Sequence, residues 1–242
     1  MKIKKIVHVT NCRMPTERAL GLVIVKLCER FASQGIKVDL VCPYRINRIR
    51  EEPFDYYRVP KSFKIKKVFS LDLIPLLSKY GFWIQYISFS ILSTLYLILK
   101  GEVFKRQTIF FSNDYLPLFF LSFFTKNVYY DVHRLLPYPS FYRLFLPRLS
   151  GIITTNKFMR SELIKKYQVS PKRVISFPNA IDLKEFRISS DKIKCREKFG
   201  LPKKKKLIFY IGQLFAWNMK GAITLAESSQ FLPKNTEIYF VG

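Results

Sequence analysis

Acidic residues are scarce in this chain. Against 42 Lys and Arg stand 17 Asp and Glu, a formal net charge of +25 over 242 residues. Such an imbalance favours anionic partners, and phosphate in any form qualifies: nucleotides, anionic lipid or nucleic acid. The basic residues are dispersed, with clusters at Arg45–Arg50, Lys61–Lys67 and Lys203–Lys206. A diffuse basic face fits a membrane surface at least as well as a DNA groove. No recognition-helix pattern or zinc-finger spacing is present, and aromatics do not alternate with the basic residues as a stacking platform requires, so nucleic acid is not an expected partner.

Cysteine and histidine are nearly as rare. Cys12, Cys28, Cys42 and Cys195 stand far apart, with no CxxC spacing and no histidine close by. That disfavours a metal site or a disulfide framework and reads as reduced core thiols in a cytosolic protein. The two histidines are His8 and His133. The loop "TNCRMPTERA" after the first apolar run lacks glycine, so no GxGxxG argument for a dinucleotide cofactor exists. The N-terminal apolar run, "IVHV", is too short for a signal-peptide core and reads as a first strand.

What the chain does have is apolar material, 49% of its residues, enough for a sizeable core. Strands are expected at 3–9, 36–42, 108–112, 128–132, 151–155 and 173–177, with helices at 15–34 and near 157–167 between them. In the first helix Leu20, Val23, Leu27 and Phe31 mark the expected core face, and Gly35 sits where a C-cap belongs. Apolar strands without clean alternation mean strands covered on both faces, hence an α/β doubly wound parallel sheet. Residues 80–99 carry no charge and form a helix of roughly 30 Å, long enough to cross a bilayer. Their polar load, Gln85, Ser88, Ser90, Ser93 and Thr94, favours a buried or membrane-resting helix over a span. A second unit begins after about residue 187, with strands near 207–214 and 237–242 around one helix. Such a unit is too small to bury both faces of its sheet, so the expected domains are a complete 1–187 and an incomplete 188–242.

Several stretches in register carry a family resemblance. "FPNAIDLKEF", "FYIGQLFAWNMKGAITLAES" and "EIYFVG" resemble the inter-domain region of the family 4 retaining glycosyltransferases. "RMPTERALGLVIVKLCERFASQGIKVDLVCP" is similar to their first loop and helix, and "YYDVHRLLP" to their short acidic-x-His segment. The resemblance implies a GT-B architecture: two Rossmann-like domains facing across a cleft, the first complete here and the second only begun. It implies no metal and no cofactor, and a nucleotide-sugar donor whose sugar is attacked on the face from which the diphosphate departs.

The resemblance assigns roles residue by residue. His133, just past "VYYDV", would lie near the reacting sugar, with Asp131 two residues before it. Lys220 matches a lysine that supports the donor diphosphate, and Gln213 stands where the family has arginine. A neutral amide is a weaker diphosphate partner than a bidentate guanidinium. Asn179, in the Pro178–Asn179 turn, would mark the crossing to the second domain, with Ala180 in place of the usual glycine. Apart from the resemblance, Asp131 and Asp114 in "FSNDYL" are equal candidates for the acceptor side, where Arg13 and Thr16 also stand, at a loop and helix start that would present free amides to an anion. The two donor-gripping glutamates of the family find no counterpart up to residue 242. The expected protein is a cytoplasmic transferase, peripheral on the inner face of the cell membrane, moving a sugar to a lipid-linked or cell-envelope glycan acceptor. The alternative is a non-catalytic remnant or the partner-binding half of a split protein, favoured by Gln213 and Ala180.

Overall fold

A computed structural model of the chain describes residues 3–181, 183, 189, 191–212, 214 and 220–242. It divides into two compact units, Met1–Asn179 and Ala180–Gly242. The boundary expected at 187/188 lies outside the described residues.

The first unit runs β1 (Lys5–Val9), α1 (Ala19–Ser33), β2 (Lys37–Pro43), α2 (Pro53–Tyr56), β3 (Lys64–Val68), α3 (Ile74–Leu99), β4 (Thr108–Ser112), α4 (Tyr115–Leu121), β5 (Val128–Val132), α5 (Pro139–Phe145), β6 (Gly151–Thr154), α6 (Lys157–Lys165) and β7 (Val174–Ser176). Its strands form one sheet in the order β3-β2-β1-β4-β5-β6-β7, every pair parallel. The chain winds outward from β1 to β3, crosses back through α3, and winds the other way from β4 to β7. The switch therefore falls between β1 and β4, where parallel sheets open a crevice beyond their strand ends.

Both faces are covered, as strands such as "VYYDV" require. Val7, Val9, Val41, Phe110, Tyr130 and Val132 meet Phe89 and Leu97 of α3 and Leu118 and Leu121 of α4 on one face. On the other, Val38, Leu40 and Cys42 meet Ile24, Val25 and Cys28 of α1. Each fully buried aliphatic side chain contributes about 1.5–3 kcal/mol relative to exposure.

Three local expectations are corrected. The first helix begins at Ala19 rather than at 15, because both backbone groups of Thr16 are engaged by Tyr57, as described below, and Arg18 is extended. Its buried face is Gly21, Ile24, Val25 and Cys28, while Val23 points outward at 45% exposed. Gly21 is what rotates it: a Cβ there would meet Tyr57 Oη at 2.3 Å and Thr16 Cγ2 at 2.4 Å, so only glycine lets α1 approach. The third concerns the basic connection after residue 43, which contains β3, "KIKKV". Its lysines hid it from a hydrophobicity reading, and they suit an edge strand that must not pair further.

His8 sits inside β1 with its ring edge-on to Phe111, centroids 5.3 Å apart. Burial pushes its pKa down to about 4, outweighing the opposing pull of the Asp131 charge and the neighbouring Asn113 side chain. Neither ring nitrogen completes a hydrogen bond among the described residues. Below the ordinary histidine value of about 6.5, the unfolded chain takes a proton that the folded chain refuses until about pH 4. Stability is thus lost as pH falls through that window, by roughly 2–3 kcal/mol at pH 4.5. His8→Phe is expected to abolish this component, seen as a smaller drop in urea midpoint between pH 7 and pH 4.5 than in the unsubstituted protein.

The second unit holds α7 (Lys192–Lys198), β8 (Lys206–Ile211), α8 (Lys220–Ser228) and β9 (Thr236–Val241). Asp191 caps α7 by accepting from Ile193 and Lys194 N–H. β8 and β9 form a parallel two-stranded sheet of their own, with Phe209 stacked on Tyr239.

Candidate active site

The carboxyl ends of β1 and β4 are tied together at the switch point. Asp114 Oδ2 accepts from Thr10 Oγ1 at 3.0 Å and from the Asn11 N–H at 2.7 Å. Its own N–H donates to Ser112 Oγ at 2.7 Å, which turns the chain sharply out of β4. Burial raises the Asp114 pKa above the usual aspartate value, with the Asn11 and Thr10 donors pulling the other way. Oδ1 takes part in neither bond, so the carboxyl group retains a free edge for a hydroxyl donor.

Asn11 is held from behind by α3. Gln85, fully buried, donates from Nε2 to Asn11 Oδ1 at 2.9 Å and to Ser70 Oγ at 3.3 Å. Its Oε1 is buried without a partner among the described residues. Helix, loop and strand end thus form one polar chain from Gln85 through Asn11 to Asp114.

Further along the same edge, β5 delivers His133. Its Nε2 lies 3.0 Å from Asp131 Oδ2, with the imidazole partly exposed. The hydrogen bond to Asp131 raises the His133 pKa above its ordinary value, against an opposing push from burial. The loop beyond is pinned by Tyr142, whose Oη accepts from Leu136 N–H at 3.0 Å and lies 3.5 Å from the Arg134 carbonyl it donates to. A partly exposed imidazole, its pKa raised by Asp131, and a half-buried carboxylate therefore lie on one sheet edge, suited to contacting and orienting the hydroxyls of a polar substrate.

The remaining predicted residues fall as follows. Arg13 gives its charge to Glu17, Nη2 lying 2.6 and 2.7 Å from the two carboxylate oxygens. Thr16 is buried, and its Oγ1 accepts from Arg18 N–H at 3.4 Å. Its backbone N–H donates to Tyr57 Oη at 2.8 Å and its carbonyl accepts from the same hydroxyl at 2.9 Å. Burial pushes the Tyr57 pKa up to about 12, so the phenol keeps the proton this double role needs. Tyr57→Phe strands a buried N–H and is expected to lower unfolding free energy by about 1–3 kcal/mol in urea titration. Asn179 is exposed at the end of the first unit, three residues beyond β7. Gln213 and the Lys220 side chain lie outside the described residues, although Lys220 opens α8. Burial pushes Cys12 and Cys42 up to about 12, so neither is a thiolate at neutral pH.

Thr10, Asn11, Gln85 and Tyr57 are additions to the sequence reading. The strand-end argument that singled out His133 applies equally to Thr10 and Asn11, which directly follow β1. Gln85 had one signal, an amide alone in an uncharged apolar stretch.

The model of the family described as Glycosyltransferase Family 4 matches residues 20–185. The chain belongs to glycosyltransferase family 4. Solved structures agree on the fold. A glycosyltransferase from Rickettsia africae ESF-5 aligns with TM-score 0.63 at 10% identity, covering 100% of this chain and 69% of that one. The catalytic domain of Starch Synthase IV from Arabidopsis thaliana, bound to ADP and acarbose, aligns with TM-score 0.65 at 12% identity, covering 100% and 69%. Anabaena Alr3699/HepE in complex with UDP-glucose aligns with TM-score 0.62 at 12% identity, covering 98% and 60%. The chain thus spans 60–69% of the length of these three structures. Among curated proteins no sequence matches it. The first unit of this family 4 chain has the Rossmann-like α/β fold seen in GT-B glycosyltransferase structures.

Proposed function

We propose that the protein transfers a sugar from a nucleotide-sugar donor to a lipid-linked or cell-envelope glycan acceptor, with retention at the anomeric carbon. The observation that carries this is the conjunction, in a family 4 chain, of the Asp114–Asn11 tie at the switch point with the Asp131–His133 pair on the same edge. Asp114 Oδ1 would receive the acceptor hydroxyl. His133, held by Asp131, would sit against the donor sugar and hold it in the reacting geometry. By the family resemblance Asn179, Gln213 and Lys220 would serve the donor, the lysine as support for its diphosphate.

In this reading the bond from the anomeric carbon to the diphosphate oxygen breaks through an oxocarbenium-like transition state. The acceptor oxygen bonds to the same face, and its proton passes to the departing diphosphate. No metal or cofactor is required. Solved structures of like fold held UDP-glucose or ADP, which makes UDP-glucose and ADP-glucose the first donors to try. The reading places the protein in the cytoplasm at the inner face of the membrane. Gln213 and Ala180, standing where the family has arginine and glycine, favour a second reading, a non-catalytic half that binds a partner.

The test is release of nucleotide from UDP-glucose, ADP-glucose and other sugar nucleotides in the presence of a membrane lipid extract, with the product's anomeric configuration read by NMR. Donor-dependent release with retention supports transfer. Inversion refutes the mechanism, and no release with any donor favours the non-catalytic reading.

A further inference from the structure

The uncharged stretch at 80–99 forms most of α3, and its polarity is inside out. The buried side carries Gly81, Gln85, Tyr86, Phe89, Ser90, Ser93, Thr94 and Leu97. Three of these hydroxyls satisfy themselves within the helix: Ser90 donates to the Tyr86 carbonyl, and Ser93 and Thr94 to that of Ser90. The outward side carries Tyr80, Ile87, Ile91, Leu95 and Leu99, each 44–78% exposed. A soluble surface helix shows the reverse arrangement. A row of apolar side chains about five turns long is an exposed patch that asks for an occupant.

Charge indicates which occupant. Lys79 and Lys100 bracket the stretch, and both are exposed. Lys64 and Lys66 of the β3 edge line one hollow together with Lys100, Tyr96 and Leu97. The acids in that hollow, Asp39 and Glu102, are engaged by Lys5 at 2.6 and 3.0 Å, so the lysines give the region its sign. Tyr80 is exposed at the amino end of the long arm, where Phe82 and Trp83 meet edge-on, residues suited to the headgroup level. An apolar face rimmed by lysines and aromatics matches the chemistry of an anionic bilayer surface. Spanning is excluded by the other face, where Gln85 is bonded to Asn11 and Ser70 within the domain.

We propose that the outward face of α3 docks the protein on an anionic bilayer, lying in the headgroup plane with Lys64, Lys66, Lys79 and Lys100 against lipid phosphates. This goes beyond the transferase reading and deepens its acceptor class. The docked helix is the one whose inner face carries Gln85, so the substrate edge would be held beside the lipid surface.

The experiment is sedimentation with phosphatidylcholine vesicles and with mixed phosphatidylglycerol–phosphatidylcholine vesicles at low salt. The protein is expected to bind the mixed vesicles, and Ile91→Glu/Leu95→Glu to bind them at least about tenfold more weakly. Both positions are exposed, so the circular dichroism spectrum and urea midpoint should stay unchanged. Lys64→Glu/Lys66→Glu should weaken binding to the mixed vesicles alone. The proposal is overturned if the protein stays in the supernatant, or if the Ile91/Leu95 variant binds like the original. It is equally overturned if ultracentrifugation without lipid shows a dimer that this variant dissolves, since a second copy then covers the face. Donor consumption with a soluble acceptor should not change in either variant, so failure here is distinguishable from failure of the transferase reading.

Discussion

His133→Ala is expected to lower the rate of sugar transfer about 10²–10³-fold while barely moving the urea midpoint. The side chain is partly exposed and its ring packs into no core cluster, so its removal leaves no cavity. What disappears is the one imidazole at the strand edge, oriented by Asp131 at 3.0 Å. Asp131→Asn gives the confirming pattern. Without the carboxylate the His133 pKa falls back toward its ordinary value, so the alkaline limb of the rate profile should move to lower pH. Stability follows the same sign. The raised histidine pKa contributes fully below about 6.5 and is lost as pH rises through the higher folded value. Single-turnover rates across pH separate the two variants: His133→Ala flattens that limb, Asp131→Asn displaces it.

Gly81→Ala should destabilise the protein by about 3 kcal/mol, although alanine favours a helix over glycine by about 1 kcal/mol. The local geometry overrides propensity. α3 is interrupted at Ser78, with φ 46° and ψ −113°, and the turn before it folds back onto the long arm. A Cβ on Gly81 would lie 2.2 Å from the Leu73 carbonyl oxygen and 2.8 Å from Ile74 Cα, both backbone atoms that cannot swing aside. Because Gln85 lies one turn further along the same face, the displacement should also loosen Asn11. A urea titration checks the first effect. A rise in KM for the acceptor larger than the fall in kcat checks the second.

The parallel sheet was legible because "IKVDLVC", "TIFFS" and "VYYDV" are apolar without alternation, which only a sheet covered on both faces explains. β3 was not legible, since three of its five residues are lysine and an edge strand needs no apolar run. The helix start was misplaced because the signal at Thr16 is local, whereas the contact that overrides it comes from Tyr57, 41 residues away. For the site, His133 and Asp114 were reachable from strand ends and motif. Gln85 was not. As sequence it looked like an obstacle to membrane insertion, and only the fold brings it to Asn11, 74 residues distant. The α3 polarity was hidden for a related reason: serine and threonine that bond within their own helix can be buried, so composition does not reveal which side faces in.

The most direct measurement is a crystal structure of the protein with a nucleotide sugar and an acceptor glycan bound. The account predicts the donor sugar within hydrogen-bond reach of His133, and the acceptor hydroxyl at Asp114 Oδ1 beyond the β1–β4 switch. A sugar bound at the opposite, amino-terminal edge of the sheet, or an acceptor that leaves Asp114 and His133 untouched, would contradict it.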